Sequence, residues 1–456
     1  MKRPYPAHAL SLPFLVLGQQ INPSSCDVVE LEGSLDARLL TEAVRRATRR
    51  HPVLAGEFQH QRFGKVWTPK PFFEPKIRFL RLVKYDPALV QRVVLDNAWL
   101  GPTSSELVRV FVIEAGKRTF FQICSPHGCT DARAGARLAQ DIADSYTALE
   151  NKTPWDDSVI DVADRSLAAL FPEFAGGTKA LSHVASGVRM VLDSAFEKPS
   201  GLKLPSVRRG PTQLHKVKLP AQFLGRLSLQ AKHLGTTVHP LLCLAVLRAR
   251  EDFNRARGAR NTPFRFVDLY NMRRHAAVDI NDLYDVMVAP HVMELNAGDS
   301  DQAVIRSIQD QVSALRNGGI FASIMQKALF ASLPLSSELL VNIGSRICAH
   351  TNIAVTNPGR VPYPLERFGS VPIVDFYNFP QLFPPCRLLL IFTTFRDELR
   401  LLVTYDEHSF PSGIDSLVAM LRRRLDELAP PGLQPLRHTQ GALHAATPGA
   451  RSNADD

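Results

Sequence analysis

The residues best suited to chemistry lie together in His127-Gly128-Cys129-Thr130-Asp131. An imidazole with a pKa near neutrality is the commonest general base among side chains. A carboxylate four residues further on can orient the ring or brace the loop that carries it. Cys129, two residues from His127, would act as a nucleophile only with a lowered thiol pKa and an oriented base; its small apolar setting reads instead as a buried thiol. His-x-x-x-Asp recurs by chance, and a histidine ahead of a helix is commonly structural. The elements around the motif therefore decide its meaning.

Apolar strands are expected over 107–114 and 119–124, joined by the turn Ala115-Gly116-Lys117-Arg118, which is a hairpin signal. The second strand runs straight into Ser125-Pro126-His127. A helix is expected over 132–150, with Leu138, Ile142 and Tyr146 spaced along one buried face. A strand end followed by small and polar residues is where a scaffold presents a side chain to a cleft. Upstream, 27–31 reads as a strand and Ser34 as the N-cap of a helix whose inner face is Leu35, Leu39, Ala43, Val44 and Ala47. Pro52 ends that helix and 53–58 continues extended; a strand over 77–82 and a helix over 87–97 follow. Downstream, strands are expected at 214–219, 264–270, 286–295, 352–356, 387–395 and 399–405. Helices are expected at 220–234, 239–257 and 411–428.

The chain has 456 residues, more than the ~250–300 at which a single core stops growing, so two lobes are expected. The order of elements is similar in the two halves, which suits two α/β lobes of comparable size. The expected division is a first lobe at 1–175, a crossover at 176–210 with a helix near 179–196 and the basic stretch 198–209, a second lobe at 211–430, and a disordered tail at 431–456. Hydrophobic residues form 45% of the chain and charged residues 21%, which excludes wholesale disorder. The net charge of +10 fits an anionic partner or a solvated arginine-rich face equally well. Nucleic acid is not expected, because no base-reading motif accompanies the charge. Cys26, Cys124, Cys129, Cys243, Cys348 and Cys386 are scattered without a paired spacing, which reads as reduced thiols in a cytoplasmic protein, with neither a disulfide frame nor a metal site. The first twenty residues resemble a signal peptide only superficially, since Pro4, Pro6 and Pro13 interrupt the apolar run; they are expected to be an extended first segment of the fold. No run reaches the ~18–20 apolar residues of a membrane span.

Further motifs extend the pattern. Leu31-Glu32-Gly33-Ser34-Leu35-Asp36 leads through the first long helix to Arg50-His51-Pro52-Val53-Leu54. Asn271-Met272-Arg273-Arg274 closes a strand, Val355-Thr356-Asn357-Pro358-Gly359-Arg360 follows another, and Thr404-Tyr405-Asp406 with Phe410 ends the last. In order and spacing, over roughly residues 5 to 430, these motifs resemble the condensation-domain and chloramphenicol-acetyltransferase-like acyltransferase superfamily. That group includes nonribosomal peptide condensation domains, polyketide-associated alcohol acyltransferases and wax ester synthases.

The resemblance implies an α/β fold of two lobes arranged as a V around a central tunnel. Acyl donor and acceptor would enter from opposite faces. Of the family motif HHxxxDG, the second histidine falls on His127 and the aspartate on Asp131, while Pro126 replaces the first histidine and Ala132 the final glycine. The resemblance makes His127 the general base of acyl transfer from a thioester, and makes Asp131 a structural partner of Arg273. Thr356 and Asn357 are candidates for the tunnel wall or oxyanion site, with turn formation before Pro358 as the alternative reading. Asp375-Phe376-Tyr377-Asn378-Phe379 occupies the place of the family's DFGWG and retains its first two residues, so Asp375 is a further tunnel candidate. This departure and the Asn-Pro-Gly-Arg segment favour ester formation over amide formation. The implied donor is acyl-CoA or an acyl or peptidyl carrier protein, and the acceptor is a small alcohol or amine. Arg360 and Lys216 are candidates for the pantetheine route. No permanently bound cofactor and no metal are expected, and the protein is expected to be a monomer. A free-standing amide-forming condensation enzyme and a degenerate, noncatalytic carrier-binding module are the competing expectations.

Overall fold

The computed structural model describes residues 5–6, 10–17, 24–61, 64–69, 74–98, 107–172, 201–205, 207–259, 263–331 and 351–431, with short stretches between 181 and 189 and between 333 and 343. The expected tail from 432, Cys348 and most of the expected helix at 179–196 lie outside the described residues.

The first half begins with strand β1 (Tyr5–Pro6) and helix α1 (Leu12–Leu17). The latter corrects the extended segment expected there: Pro13 sits in the first helical turn, where a missing N–H removes no intrahelical bond. Strand β2 (Ser24–Glu32) leads to helix α2 (Ala37–Arg50). Asp36, not Ser34, is the N-cap, its carboxylate accepting from the N–H groups of Arg38 and Leu39. A carboxylate there also answers the positive end of the helix dipole, which a serine two residues earlier does not reach. After β3 (Gly56–Gln61), β4 (Gly64–Pro69) and β5 (Lys76–Leu82) comes helix α3 (Pro87–Asn97), then the hairpin β6 (Arg109–Ala115) and β7 (Arg118–Pro126), helix α4 (Ala132–Asn151) and the single turn α5 (Leu167–Leu170). Gly116 holds the hairpin turn at φ +63°, a conformation that costs a residue with a Cβ.

The second half is built from β8 (Thr212–Lys218), α6 (Phe223–His233), α7 (Val238–Arg255), β9 (Phe264–Asn271), β10 (Val288–Leu295), α8 (Asp301–Ala314), α9 (Ile320–Ala331), β11 (Ile353–Arg360), β12 (Arg367–Phe368), β13 (Val371–Pro380), β14 (Leu388–Phe395), β15 (Glu398–Asp406) and α10 (Asp415–Leu428).

Two six-stranded mixed sheets dominate, in the orders β12-β13-β2-β7-β6-β5 and β10-β9-β11-β14-β15-β8, beside a small sheet β1-β4-β3. Strands β12 and β13 come late in the chain yet complete the first sheet, with β13 antiparallel to β2. Helices α2 and α4 cover one face of the first sheet through Leu40, Ala43, Val44, Leu138, Ile142 and Tyr146. Helices α6, α7, α8 and α10 cover one face of the second. Between the lobes, Cys26, Val28, Phe111 and Cys124 join Leu214, Ala354, Leu389 and Leu402 in one apolar cluster. Each fully buried Leu, Val or Phe contributes about 1.5–3 kcal/mol, so this seam holds the lobes by the same force that builds each core. Among the described residues no helix is long and apolar enough to cross a membrane, and no group of three or more His, Cys, Asp or Glu side chains is placed to hold a metal ion.

Candidate active site

Strand β7 pairs with β2 and β6 on either side, so its last residues emerge from the middle of a sheet. His127 follows directly and is 7% exposed. Its Nδ1 lies 2.7 Å from the Thr130 carbonyl oxygen. A carbonyl only accepts, so Nδ1 carries the proton and the neutral ring presents the Nε2 lone pair. That Nε2 makes no hydrogen bond to a described residue. Burial lowers the His127 pKa below the usual imidazole value, against the smaller opposing effects of the Thr130 carbonyl and the Asp131 charge. The ring is therefore neutral, singly tautomeric and has one unused basic nitrogen.

Asp131 caps α4, its Oδ1 accepting from the N–H of Ala134 at 3.0 Å. Arg273 crosses from the second lobe to the same carboxylate, Nη1 to Oδ2 at 2.6 Å and Nη2 to Oδ1 at 3.2 Å, and the Met287 N–H reaches Oδ2 at 2.9 Å. Both oxygens are occupied, which leaves Asp131 to join the lobes and immobilise the loop. Both side chains of the pair are about 2% exposed. The local reason that Arg273 points this way is the end of β9: the Asn271 Oδ1 accepts the Arg273 N–H at 3.1 Å and folds the chain into a short turn.

Arg50 and His51 lie further from the reacting loop. Arg50 Nη1 and His51 Nε2 reach the two oxygens of Asp141 on α4 at 2.6 and 2.8 Å, and Arg137 reaches Asp141 at 2.7 Å. This knot clamps α2 to the helix that Asp131 caps. Cys129 is fully buried, its Sγ donating to the Pro126 carbonyl at 3.1 Å, and burial pushes its thiol far above the usual range. A thiolate is thus disfavoured there.

The remaining sequence candidates are placed elsewhere. Thr356 is buried in β11. The Asn357 Oδ1 accepts the Gly359 N–H at 3.1 Å, and Gly359 has φ +79°, so this side chain does shape a turn. Among the described residues no hydrogen bond links Thr356 or Asn357 to His127 or Asp131. Asp375 is ion-paired with Arg400 and with Lys216, the latter at 3.1 Å, and Lys216 lies 3.7 Å from Glu30. Asp375 thus ties the first sheet to the second instead of standing beside His127. Arg360 is paired with Asp397 at 2.5 Å on the surface.

Several neighbours of the site carry no sequence signal. The Tyr284 hydroxyl, from the second half, lies 2.9 Å from the Ser125 hydroxyl inside the first lobe. Asp27 is buried in β2, where Asn378 Nδ2 donates to it at 2.8 Å; burial pushes its carboxyl up to about 8, with Asp131 adding to the rise. A Cβ on Gly135 would meet the Asp27 Oδ2 at 2.0 Å, so α4 comes this close only because residue 135 is glycine. Phe14 and Phe383 lie against the His127 ring, with centroids 4.3 and 6.0 Å away.

The two-sheet fold is similar to that of solved condensation domains and of an O-acetyltransferase. No family model matches the sequence and no curated protein matches it, so the likeness is one of fold. Among solved structures, a trichothecene 15-O-acetyltransferase from Fusarium sporotrichioides is similar with a TM-score of 0.73 at 13% identity, covering 92% of this chain and 94% of that one. The first condensation domain of the calcium-dependent antibiotic synthetase, solved with a substrate analogue, has a TM-score of 0.70 at 16% identity and covers 94% and 96%. The starter condensation domain of rhizomide synthetase, as a variant with C8-CoA, has a TM-score of 0.63 at 15% identity and covers 93% and 95%.

Proposed function

We propose that this protein transfers an acyl group from a CoA or carrier-protein thioester to a hydroxyl acceptor, with His127 as the general base. The observation that carries the reading is the His127 ring. Its proton is held on Nδ1 by the Thr130 carbonyl, which leaves Nε2 basic on a loop held by the Asp131–Arg273 bridge. In the proposed step Nε2 takes the hydroxyl proton as the oxygen attacks the thioester carbonyl carbon. The C–S bond breaks as the tetrahedral species collapses, and the departing thiolate takes the proton from His127. The products are an ester and a free thiol, and the ring returns to its starting tautomer. Two fold neighbours lend support, one being an O-acetyltransferase and another a starter condensation domain solved with C8-CoA.

The test is a panel of acyl-CoA and acyl-carrier thioesters offered with alcohols and amines, read by mass spectrometry. An ester formed by the natural chain and lost in His127→Ala supports the proposal. A His127-dependent amide would move the reading to a free-standing condensation enzyme. Carrier-protein binding with no His127-dependent product from any pair would overturn it in favour of a noncatalytic module.

A further inference from the structure

We infer that Phe14 and Phe383 clamp the His127 imidazole, which makes Phe14 a positioning residue that holds the ring out of water with its Nε2 edge free. Three segments distant in sequence meet at this point: α1, the loop after β7 and the loop after β13. The Phe14 ring lies 4.3 Å from the His127 ring, tilted by 32°, and 5.5 Å from Phe383 in an edge-on arrangement; Phe383 lies 6.0 Å from His127, tilted by 31°. Helix α1 rests on the backbone beside the ring as well. A Cβ on Gly128 would come within 3.0 Å of the Leu15 Cδ2 and 3.6 Å of the Phe14 Cβ. Glycine at 128 thus lets the short helix sit directly on the loop.

The physical consequence follows from the chemistry of the cover. Aromatic rings exclude water from the imidazole without offering it a hydrogen bond, so the charged ring loses more by burial than the neutral one. Helix α1, Leu-Pro-Phe-Leu-Val-Leu, brings no titratable group. The loop bearing Phe383 brings the Cys386 thiol, which burial keeps protonated, and Arg387, paired with Asp406 at 3.3 Å, while Arg209 donates to the Leu382 carbonyl. The charge facing His127 is Asp131, already bound by Arg273. The cover supplies neither a hydrogen bond nor an opposite charge against the desolvation, only the modest attraction of an imidazolium for the ring faces, and the rings also restrict rotation about the Cβ–Cγ bond. A base prepared in this way stays unprotonated to lower pH than an exposed histidine, whose pKa is near ~6.5.

The inference rests on the reading of His127 as a base, but its test does not need turnover. The His127 ring signals, assigned by their loss in His127→Gln, are titrated by NMR in the full chain. In the natural protein the midpoint lies below the ordinary histidine value. In Phe14→Ala it rises toward that value, and in Phe14→Leu, which keeps apolar cover, most of the depression remains. Where turnover is measurable, the acid limb of the rate profile moves the same way. Well below the midpoint, each unit of rise costs about tenfold in free-base fraction. Phe383→Ala supplies a second opening of the clamp should Phe14→Ala fail to fold. An unmoved His127 midpoint in a folded Phe14→Ala or Phe383→Ala protein overturns the clamp. A shifted midpoint in a chain that transfers no acyl group upholds the clamp and removes the base assignment instead.

Discussion

Two buried histidines of the first lobe, His51 and His127, are shifted in the same direction by the same cause, yet they are wired differently. Burial lowers both pKa values. His51 is fully enclosed and gives its Nε2–H to Asp141, a carboxylate already bound by Arg50 and Arg137. Its Nδ1 is left buried with no partner among the described residues. No substrate can reach that lone pair, and the ring serves to fasten α2 to α4. His127 gives its proton to a neutral backbone carbonyl and is covered by hydrocarbon, with its second nitrogen unused. Burial and a depressed pKa therefore do not identify a base. What separates the two is which nitrogen is committed and whether the other can be approached.

That contrast is open to direct attack, beginning with its largest consequence. His127→Ala should lower acyl transfer per folded molecule by about 10²–10⁴-fold, the usual contribution of a positioned general base, beyond whatever stability the loss of a packed ring costs. His51→Ala should cost stability without that loss of rate. It opens a cavity and removes a buried hydrogen bond, costing about 2–4 kcal/mol in urea titration, with the rate constant per folded molecule retained. If His51→Ala abolished transfer in folded protein, the assignment of roles would be wrong.

Asp131→Ala tests the frame between these extremes. It strands the Arg273 guanidinium in a buried site, and a loss of about 3–5 kcal/mol is expected. Replacing both partners with apolar residues should recover part of that loss. A double-mutant cycle with no coupling between the two sites would contradict the bridge seen across the lobes.

A smaller effect concerns Asp27. Its carboxyl titrates near 3.9 in the unfolded chain and at about 8 when folded. Between those values the folded state binds the additional proton, so stability falls as pH rises through that window. From pH ~5 to ~8 the contribution is on the order of 3–4 kcal/mol. Asp27→Asn keeps an oxygen for the Asn378 amide and should flatten the slope; urea midpoints at the two pH values would show an unchanged slope if Asp27 were ionised in the fold.

Much of this arrangement is legible in the chain because it is local. The hairpin over 109–126, the helix after it and the histidine between them follow from alternating and helical apolar spacing and from one glycine turn. Arg273 is found through its motif, since the Asn271 side chain turns the backbone two residues before it. Helices α8 and α9 and strand β13 were not anticipated, although α8 carries its own cap in Ser300. The placement of Asp375 was read through a motif of which only two residues survive. In the fold its carboxylate answers Lys216 and Arg400 on neighbouring strands of the other sheet.

By itself, then, the sequence determined the hairpin that leads into His127, the helix that follows it, and a carboxylate four residues beyond the ring. These are matters of periodicity and of hydrogen bonds between near neighbours. The tertiary structure alone decided that a late strand completes the first sheet, that Tyr284 reaches Ser125, that Asp27 keeps its proton, and that Phe14 and Phe383 close over the imidazole. Apolar side chains have no directional chemistry, so nothing local says which of the chain's many phenylalanines will meet which ring. That choice is made by the one packing that buries both lobes together while leaving the fewest polar groups without a partner.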